Sequence, residues 1–170
     1  MSTATLVSEQ EYLATAYHPD CDYLGGVLLE RNLGQFDHSD VQGELVLWFR
    51  SRRNQLQMSA FPELRVAVKP KRYRVPDVCV VKLPRPSGPV LRQAPYICIE
   101  ILSPEDTFPR LQERLDDYLE MGAENIWVID PTSRRGWVIT RQGHLEALDA
   151  ILRTGDSVVT LPIAELFTAD

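Results

Sequence analysis

The amino-acid sequence predicts an α/β or α+β domain, a mixed β-sheet flanked by helices. Three observations carry that expectation. An apolar run through Glu100 and another ending at Asp130 are separated by a helical stretch, and such a strand–helix–strand step suits a parallel pair. Elsewhere, strand-like runs joined by turn residues call for antiparallel hairpins. The chain has 170 residues, 44% hydrophobic and 25% charged, enough for one buried core, so residues 1–170 read as a single domain.

Local signals place the elements in order. Ser8 precedes Glu9, Gln10 and Glu11 and caps a short helix to about Ala16. Asp22 to Glu30 reads as one strand, bent or bulged at Gly25-Gly26. Val41, Leu45, Leu47, Trp48 and Phe49 share a broad helical face, which predicts a helix from a Ser39 or Asp40 cap to about Asn54. Leu64, Val66 and Val68 alternate along a strand from Glu63 to Val68. Lys69-Pro70-Lys71-Arg72 then turns, and Tyr73 to Val81 returns as its hairpin partner. Leu83 to Pro89 is a surface loop, because proline lacks the donor a sheet ladder needs. Tyr96 to Leu102 is a central strand. Phe108, Leu111, Leu115 and Leu119 stripe a helix that begins after Ser103-Pro104-Glu105-Asp106 and stops at Gly122. Asn125 to Asp130 is a further strand, Gly136 to Arg141 and His144 to Leu148 form a hairpin, and Leu161 to Phe167 is a short closing helix.

Within Tyr96-Ile97-Cys98-Ile99-Glu100-Ile101-Leu102 only Glu100 is charged. A run without alternation marks a strand covered on both faces. A lone carboxylate there costs several kcal/mol in order of magnitude unless a cation, a proton or hydrogen-bond donors compensate it. Asp77 stands at the entry of a second apolar run, Val78-Cys79-Val80-Val81. Two such acids on neighbouring strands suggest a site for Mg²⁺ or Mn²⁺, which prefer oxygen ligands. An ion of that kind acidifies water and offsets charge developing on a phosphodiester. Glu63 is a candidate third acid, and Arg65 with Arg72 or Arg74 could hold a phosphate nearby.

The overall charge of −6 argues against wholesale coating of nucleic acid. Its distribution is uneven: Arg50 to Arg74 holds eight basic residues and one acid, +7 against −13 for the remainder. Either Arg65, Lys69, Lys71, Arg72 and Arg74 steer a phosphate backbone, or the segment is a solvated helix end followed by a charged hairpin. Cys21, Cys79 and Cys98 are odd in number and widely spaced, and they read as reduced core thiols. His18, His38 and His144 are too scattered for a ligand motif. No apolar stretch approaches the roughly 20 residues that span a bilayer. Met1 to Gln10 lacks the basic start and apolar core of a signal peptide. A cytoplasmic protein without membrane contact is expected.

Four segments together carry a family resemblance: Val75-Pro76-Asp77-Val78, Ile99-Glu100-Ile101-Leu102-Ser103-Pro104, Asp117-Tyr118-Leu119-Glu120-Met121-Gly122 and Ile126-Trp127-Val128-Ile129-Asp130-Pro131. In this combination and order they resemble the Uma-two restriction-endonuclease family, from Gly25-Gly26 to the C-terminus. The resemblance implies a restriction-endonuclease-like PD-(D/E)xK nuclease fold with an acidic metal site. It further implies Asp77 and Glu100 as the ligands of Mg²⁺ or Mn²⁺, with Glu63 or Glu30 as additional acids. The lysine of that motif, two residues after the second acid, is replaced here by Leu102. The basic residue that family members carry on the following helix falls on Arg114. Arg114 lies three residues after Leu111 and four before Tyr118, beside the apolar stripe. A guanidinium stabilises negative charge, but with a pKa above about 12 it is a poor proton acceptor.

The expected activity is metal-dependent hydrolysis of nucleic-acid phosphodiesters, DNA foremost, with Asp77, Glu100, Arg114 and Glu63 as the catalytic set. Blander readings stand beside it. Asp77 caps a strand entry, Glu100 is neutralised by a structural ion pair with Arg114, and Glu63 and Glu30 are exposed strand-end acids. Ser103 reads as a helix cap, Tyr118, Trp127 and Trp137 as packing residues, and His38 as a surface histidine. Two other functions compete. One is a non-catalytic nucleic-acid-binding protein that keeps the fold. The other is a homo-oligomer, a homodimer above all, whose hairpin at Gly136 to Leu148 pairs between subunits.

Overall fold

The computed structural model describes residues 6–31 and 35–167, so residues 1–5 of the stretch read for a targeting signal lie outside it. The chain begins with helix α1 (Glu9–Ala14), strands β1 (Cys21–Leu24) and β2 (Val27–Glu30), and helices α2 (Phe36–Ser51) and α3 (Arg53–Leu56). Strands β3 (Met58–Pro62), β4 (Val66–Lys69), β5 (Arg72–Arg74), β6 (Val78–Lys82) and β7 (Ile97–Ile101) follow, then helix α4 (Phe108–Met121). Strands β8 (Ile126–Asp130), β9 (Arg135–Thr140), β10 (Gly143–Glu146), β11 (Ile151–Arg153) and β12 (Thr160–Pro162) lead to a 3-10 turn at Ile163–Leu166.

The main sheet has the order β10-β9-β8-β7-β6-β3. β7 and β8 run parallel, joined by α4 as their crossover, while the other neighbours in this sheet are antiparallel. The mixed sheet flanked by helices is therefore as expected. Period-two geometry sends alternate side chains of β7 to opposite faces. Ile97, Ile99 and Ile101 join Val41, Leu45 and Phe49 of α2 in one core. Cys98 belongs to the opposite core with Leu115 and Tyr118 of α4, and Glu100 points the same way. Burial of a side chain such as Leu45 or Phe49 contributes about 1.5–3 kcal/mol, so α2 is held chiefly by this face. α4 ends as its sequence dictates: Gly122 takes the left-handed conformation (φ +99°), and the Ala123 N–H returns to the Tyr118 carbonyl at 2.9 Å.

Several local expectations are corrected. The stretch from Asp22 to Glu30 is a hairpin rather than a bent strand, with Leu24 paired to Val27. Gly25 and Gly26 both have positive φ, +59° and +107°, as a two-residue hairpin turn requires. α2 begins at Phe36, earlier than Ser39, and its N-cap Gln35 makes no capping side-chain hydrogen bond. Met58–Pro62 forms an edge strand that the sequence did not signal. Glu63 is not in a strand but in the turn after β3, with φ +50°. The returning strand from Tyr73 to Val81 is two strands. β5 pairs with β1 and β4 in a smaller sheet of order β2-β1-β5-β4, whereas β6 joins the main sheet. The break falls at Val75-Pro76-Asp77, where Pro76 has no N–H to continue a ladder. The closing helix is shorter than expected, a single 3-10 turn preceded by the β11–β12 pair.

Charge joins the smaller sheet to α4. Arg74, on β5, is 1% exposed; its guanidinium donates to Asp22 Oδ2 at 2.8 Å and Asp117 Oδ2 at 2.6 Å. Removing one member of a buried pair leaves the other charge uncompensated and costs about 3–5 kcal/mol. Arg74→Met should therefore lower unfolding stability by about that amount in urea titration, whereas Arg72→Met, at a more exposed pair, should cost clearly less. Equal losses would show that Arg74 does not carry the joint.

Candidate functional site

Asp77 ends the three-residue crossing between the sheets, and its backbone is held on both sides. The Asp77 carbonyl accepts from the Gln42 side-chain amide at 2.9 Å and the Glu63 N–H at 3.2 Å. Because β6 and β7 pair with Val78 opposite Ile99, the Asp77 side chain reaches the β7 backbone, and Ile101 N–H donates to its Oδ2 at 2.7 Å. Its Oδ1 faces the Arg31 guanidinium, and His38 Nε2 lies 3.3 Å away. Both basic groups arrive from chain far upstream, Arg31 just after β2 and His38 in the first turn of α2.

Glu100 is served from α4. Tyr118 O–H donates to Glu100 Oε1 at 2.6 Å, and Arg114 Nε lies 3.2 Å from Oε2. That ion pair is not an aligned hydrogen bond, since the Arg114 Nε–H finds no acceptor in line. Arg114 Nη2 also donates to Asp106 Oδ1 at 3.1 Å. Ser103 is turned to the same acid: its N–H and hydroxyl donate to Asp106 Oδ2 at 2.9 and 3.1 Å. One cleft of about 50 Å³ is lined by Asp77, Glu100, Arg31, His38, Arg110 and Arg114 among others. It is polar and has room for an ion with a few waters.

The two acids differ in proton affinity. Burial pushes the Glu100 carboxyl up, Arg114 only partly relieves it, and the Asp77 charge adds to the rise, so it titrates near about 7. Burial pushes Asp77 up as well. There the His38 hydrogen bond, the Arg31 and His38 charges and the Ile101 N–H prevail and hold it below the ordinary carboxylate range. For His38, burial opposes the charged ring, but the Asp77 hydrogen bond and charge outweigh it and raise its pKa.

The structure thus brings Asp77, Glu100 and Arg114 to one cleft. Glu63 does not join them; its side chain is half-exposed and lies 3.6 Å from Arg31. Among the described residues, no three His, Cys, Asp or Glu side chains converge as an ion site. Much of the basic run is ion-paired within the fold. Arg65 grips both Asp20 oxygens at 2.6 and 2.7 Å and donates to the carbonyls of Tyr12 and Thr15. Lys69 pairs with Asp117 and Glu120, and Arg72 with Asp117 and Glu113 at 2.7 Å. Arg74 is buried as described, though it lines the cleft, and Lys71 is exposed in the β4–β5 turn. His38 is not a surface histidine: its ring is largely covered and touches Asp77. Arg31 and the Tyr118 hydroxyl were missed as partners of the two acids.

A solved structure from Anabaena variabilis, described as "a putative nuclease belonging to DUF820", superposes with a TM-score of 0.79. It is 26% identical, over 95% of this chain and 98% of that one. No curated protein matches. The fold is therefore nuclease-like. Residues 10–168 match the model of the Uma2 family, described as "Putative restriction endonuclease", and the chain belongs to that family.

The raised proton affinity of Glu100 fixes a pH dependence. Glu100 ionises near about 4.5 when unfolded and near about 7 when folded, so between those values the folded state binds more protons. Its contribution to stability therefore falls as pH rises from about 4.5 to about 7. Asp77 acts oppositely and only lower down, its contribution being lost as pH falls below about 3.8 toward its depressed value. Urea midpoints of wild type should decline across the higher window relative to Glu100→Gln; parallel curves would mean that Glu100 is ionised throughout.

Proposed function

We propose that the protein is a metal-dependent endonuclease acting on nucleic acid, DNA in the first instance, built as one domain over residues 1–170. The observation that supports this most is the placement of two buried carboxylates, Asp77 and Glu100, against one polar cleft that Arg114 also lines. Family membership and the nuclease-like fold support the same reading.

The donor set fits a hard divalent cation. Both candidate ligands are carboxylates, and burial raises the need of Glu100 for a positive partner. Mg²⁺ is commonly held by one or two carboxylates, with water and phosphate oxygens completing the shell. Asp77 and Glu100 would hold Mg²⁺ or Mn²⁺, which would compete with the Arg31 guanidinium for Asp77 Oδ1. Bound there, the ion supplies positive charge beside the phosphoryl group and acidifies water. The chain's own residues do the rest. Arg114 and Arg110 present positive charge to the phosphate in the cleft, and Asp106 and Glu100 orient Arg114. Tyr118 fixes the Glu100 rotamer through its hydroxyl. Glu63 acts through Arg31, which it helps to position. Arg74 contributes long-range positive charge at the cleft wall, and exposed Lys71 offers a peripheral phosphate contact. Arg65, Lys69 and Arg72 brace the fold.

A homodimer extends this reading. β10 is an edge strand, and Leu145 and the neighbouring Leu148 are exposed. The three buried free thiols, Cys21, Cys79 and Cys98, suit a reducing compartment such as the cytoplasm.

Purified protein should nick or cleave DNA with Mg²⁺ or Mn²⁺ and not in EDTA. Asp77→Ala and Glu100→Ala should each reduce the rate by about 100-fold or more, and Arg114→Ala by about 10–100-fold, as for residues that orient a metal ligand. Glu100→Ala cleaving as well as wild type would remove the enzyme reading. Salt-sensitive DNA binding without cleavage would favour the binding protein instead.

A further inference from the structure

The two oxygens of Asp77 are engaged differently. Oδ2 accepts from the Ile101 N–H at 2.7 Å, whereas Oδ1 faces the Arg31 guanidinium and the His38 ring. A divalent ion held by Asp77 and Glu100 therefore meets Arg31 at Oδ1, where two cations repel each other strongly. The Arg31 charge also acts on Glu100 and Glu63, so the guanidinium stands within electrostatic reach of all three acids.

Room for the ion requires that one of the two basic groups give way. His38 belongs to α2, its ring is largely covered, and its Nδ1 has no hydrogen-bond partner among the described residues to draw it elsewhere. Arg31 has a second acid within reach. Its Nη1 lies 3.6 Å from Glu63 Oε1, and the Glu63 side chain is half-exposed in the turn after β3. Arg31 also directly follows β2, an edge strand of the smaller sheet. A long arginine with an inner and an outer acid beside its guanidinium has two seats, and rotation about its staggered torsions moves the charge between them.

We propose that Arg31 is an exchangeable counter-ion that governs metal entry: it pairs with Asp77 Oδ1 before the ion binds and shifts to Glu63 when the ion takes that oxygen. The inference rests on the metal-dependent reading and goes beyond it, because it makes metal affinity depend on an arginine that the ion does not touch. Glu63 thereby serves the site without being a ligand, as the outer seat of the guanidinium.

Binding of Mn²⁺ alone, followed by loss of the electron paramagnetic resonance signal of free Mn²⁺, tests this without nucleic acid or turnover. Asp77→Ala should remove the binding and so assign it to the cleft. Arg31→Met should bind Mn²⁺ at least about tenfold more tightly than wild type, the effect expected when a close charge pair no longer competes. Replacing an arginine that only braced the fold would weaken binding or leave it unaltered. Glu63→Gln should weaken Mn²⁺ binding about threefold, as for a partly exposed pair, and should have no effect in the Arg31→Met background. Unaltered or weaker binding in Arg31→Met overturns the exchange, and an equal effect of Glu63→Gln in both backgrounds overturns the outer seat. If Arg31→Met does not fold, Glu63→Gln decides alone: unaltered or tighter binding overturns the proposal. In each of these cases Mn²⁺-dependent cleavage of DNA by wild type leaves the nuclease reading standing. Mn²⁺ binding that survives Asp77→Ala, or no binding to any variant, overturns both.

Discussion

Two of the buried carboxylates, Asp77 and Glu100, face one cleft, and much of the architecture around them follows from the need to compensate them. An ionised carboxylate stripped of water is destabilising by several kcal/mol in order of magnitude unless positive charge and donors replace its hydration. Asp77 obtains them from three directions: Arg31 beyond β2, His38 on α2 and the Ile101 N–H on β7. Glu100 obtains its partners from α4 alone, through Arg114 and Tyr118. The two are consequently unequal. Asp77 is ionised with ease, whereas Glu100 is poised between its charged and neutral forms at ordinary pH. Such a separation of proton affinities between neighbouring acids is typical of sites that perform chemistry.

α4 answers two demands along its length. Arg114 and Tyr118 turn toward Glu100 of the main sheet. Glu113 and Asp117 turn toward Arg72 and Arg74 of the smaller one. Side chains three and four residues apart share a helical face, so these interleaved sets lie on adjacent stripes. The ion pairs that fasten the helix to the smaller sheet also fix the height at which Arg114 meets Glu100. Fold stability and cleft geometry are thereby carried by the same two turns.

What could be read from the sequence was whatever breaks a local pattern. Glu100 interrupts an apolar run and Asp77 opens one, so both were visible, whereas Arg114 came from the family resemblance, which its offset from the Leu111–Tyr118 stripe made credible. Partners that meet only through the path of the chain were not visible. His38 and Arg31 stand 39 and 46 residues before Asp77, and nothing near them in sequence marks them as interior. The pairing of the basic run was hidden for a related reason. Counting charge along a segment ignores acids supplied by other segments, and Asp20, Asp22, Glu113 and Asp117 pair with Arg65, Lys69, Arg72 and Arg74 once the chain is folded. β3 escaped because Met58-Ser59-Ala60-Phe61-Pro62 lacks both alternation and β-branched residues. The division of the Tyr73–Val81 stretch had a signal in Pro76.

That division constrains how the family can vary. Three residues, Val75-Pro76-Asp77, carry the chain from one sheet to the other, and both ends of the crossing are pinned. The Val75 N–H donates to Asp22 Oδ1 at 2.9 Å, and the Asp77 carbonyl is doubly bonded by Gln42 and Glu63. One residue more or fewer would exchange the two faces of β6, turning Cys79 and Val81 away from α4. Chain length can drift at the Leu83–Pro89 loop or the β9–β10 turn, where no such parity is at stake. Here the residue count is fixed by the hydrogen bonds at both ends of the crossing and by the pairing of β6 with its neighbours.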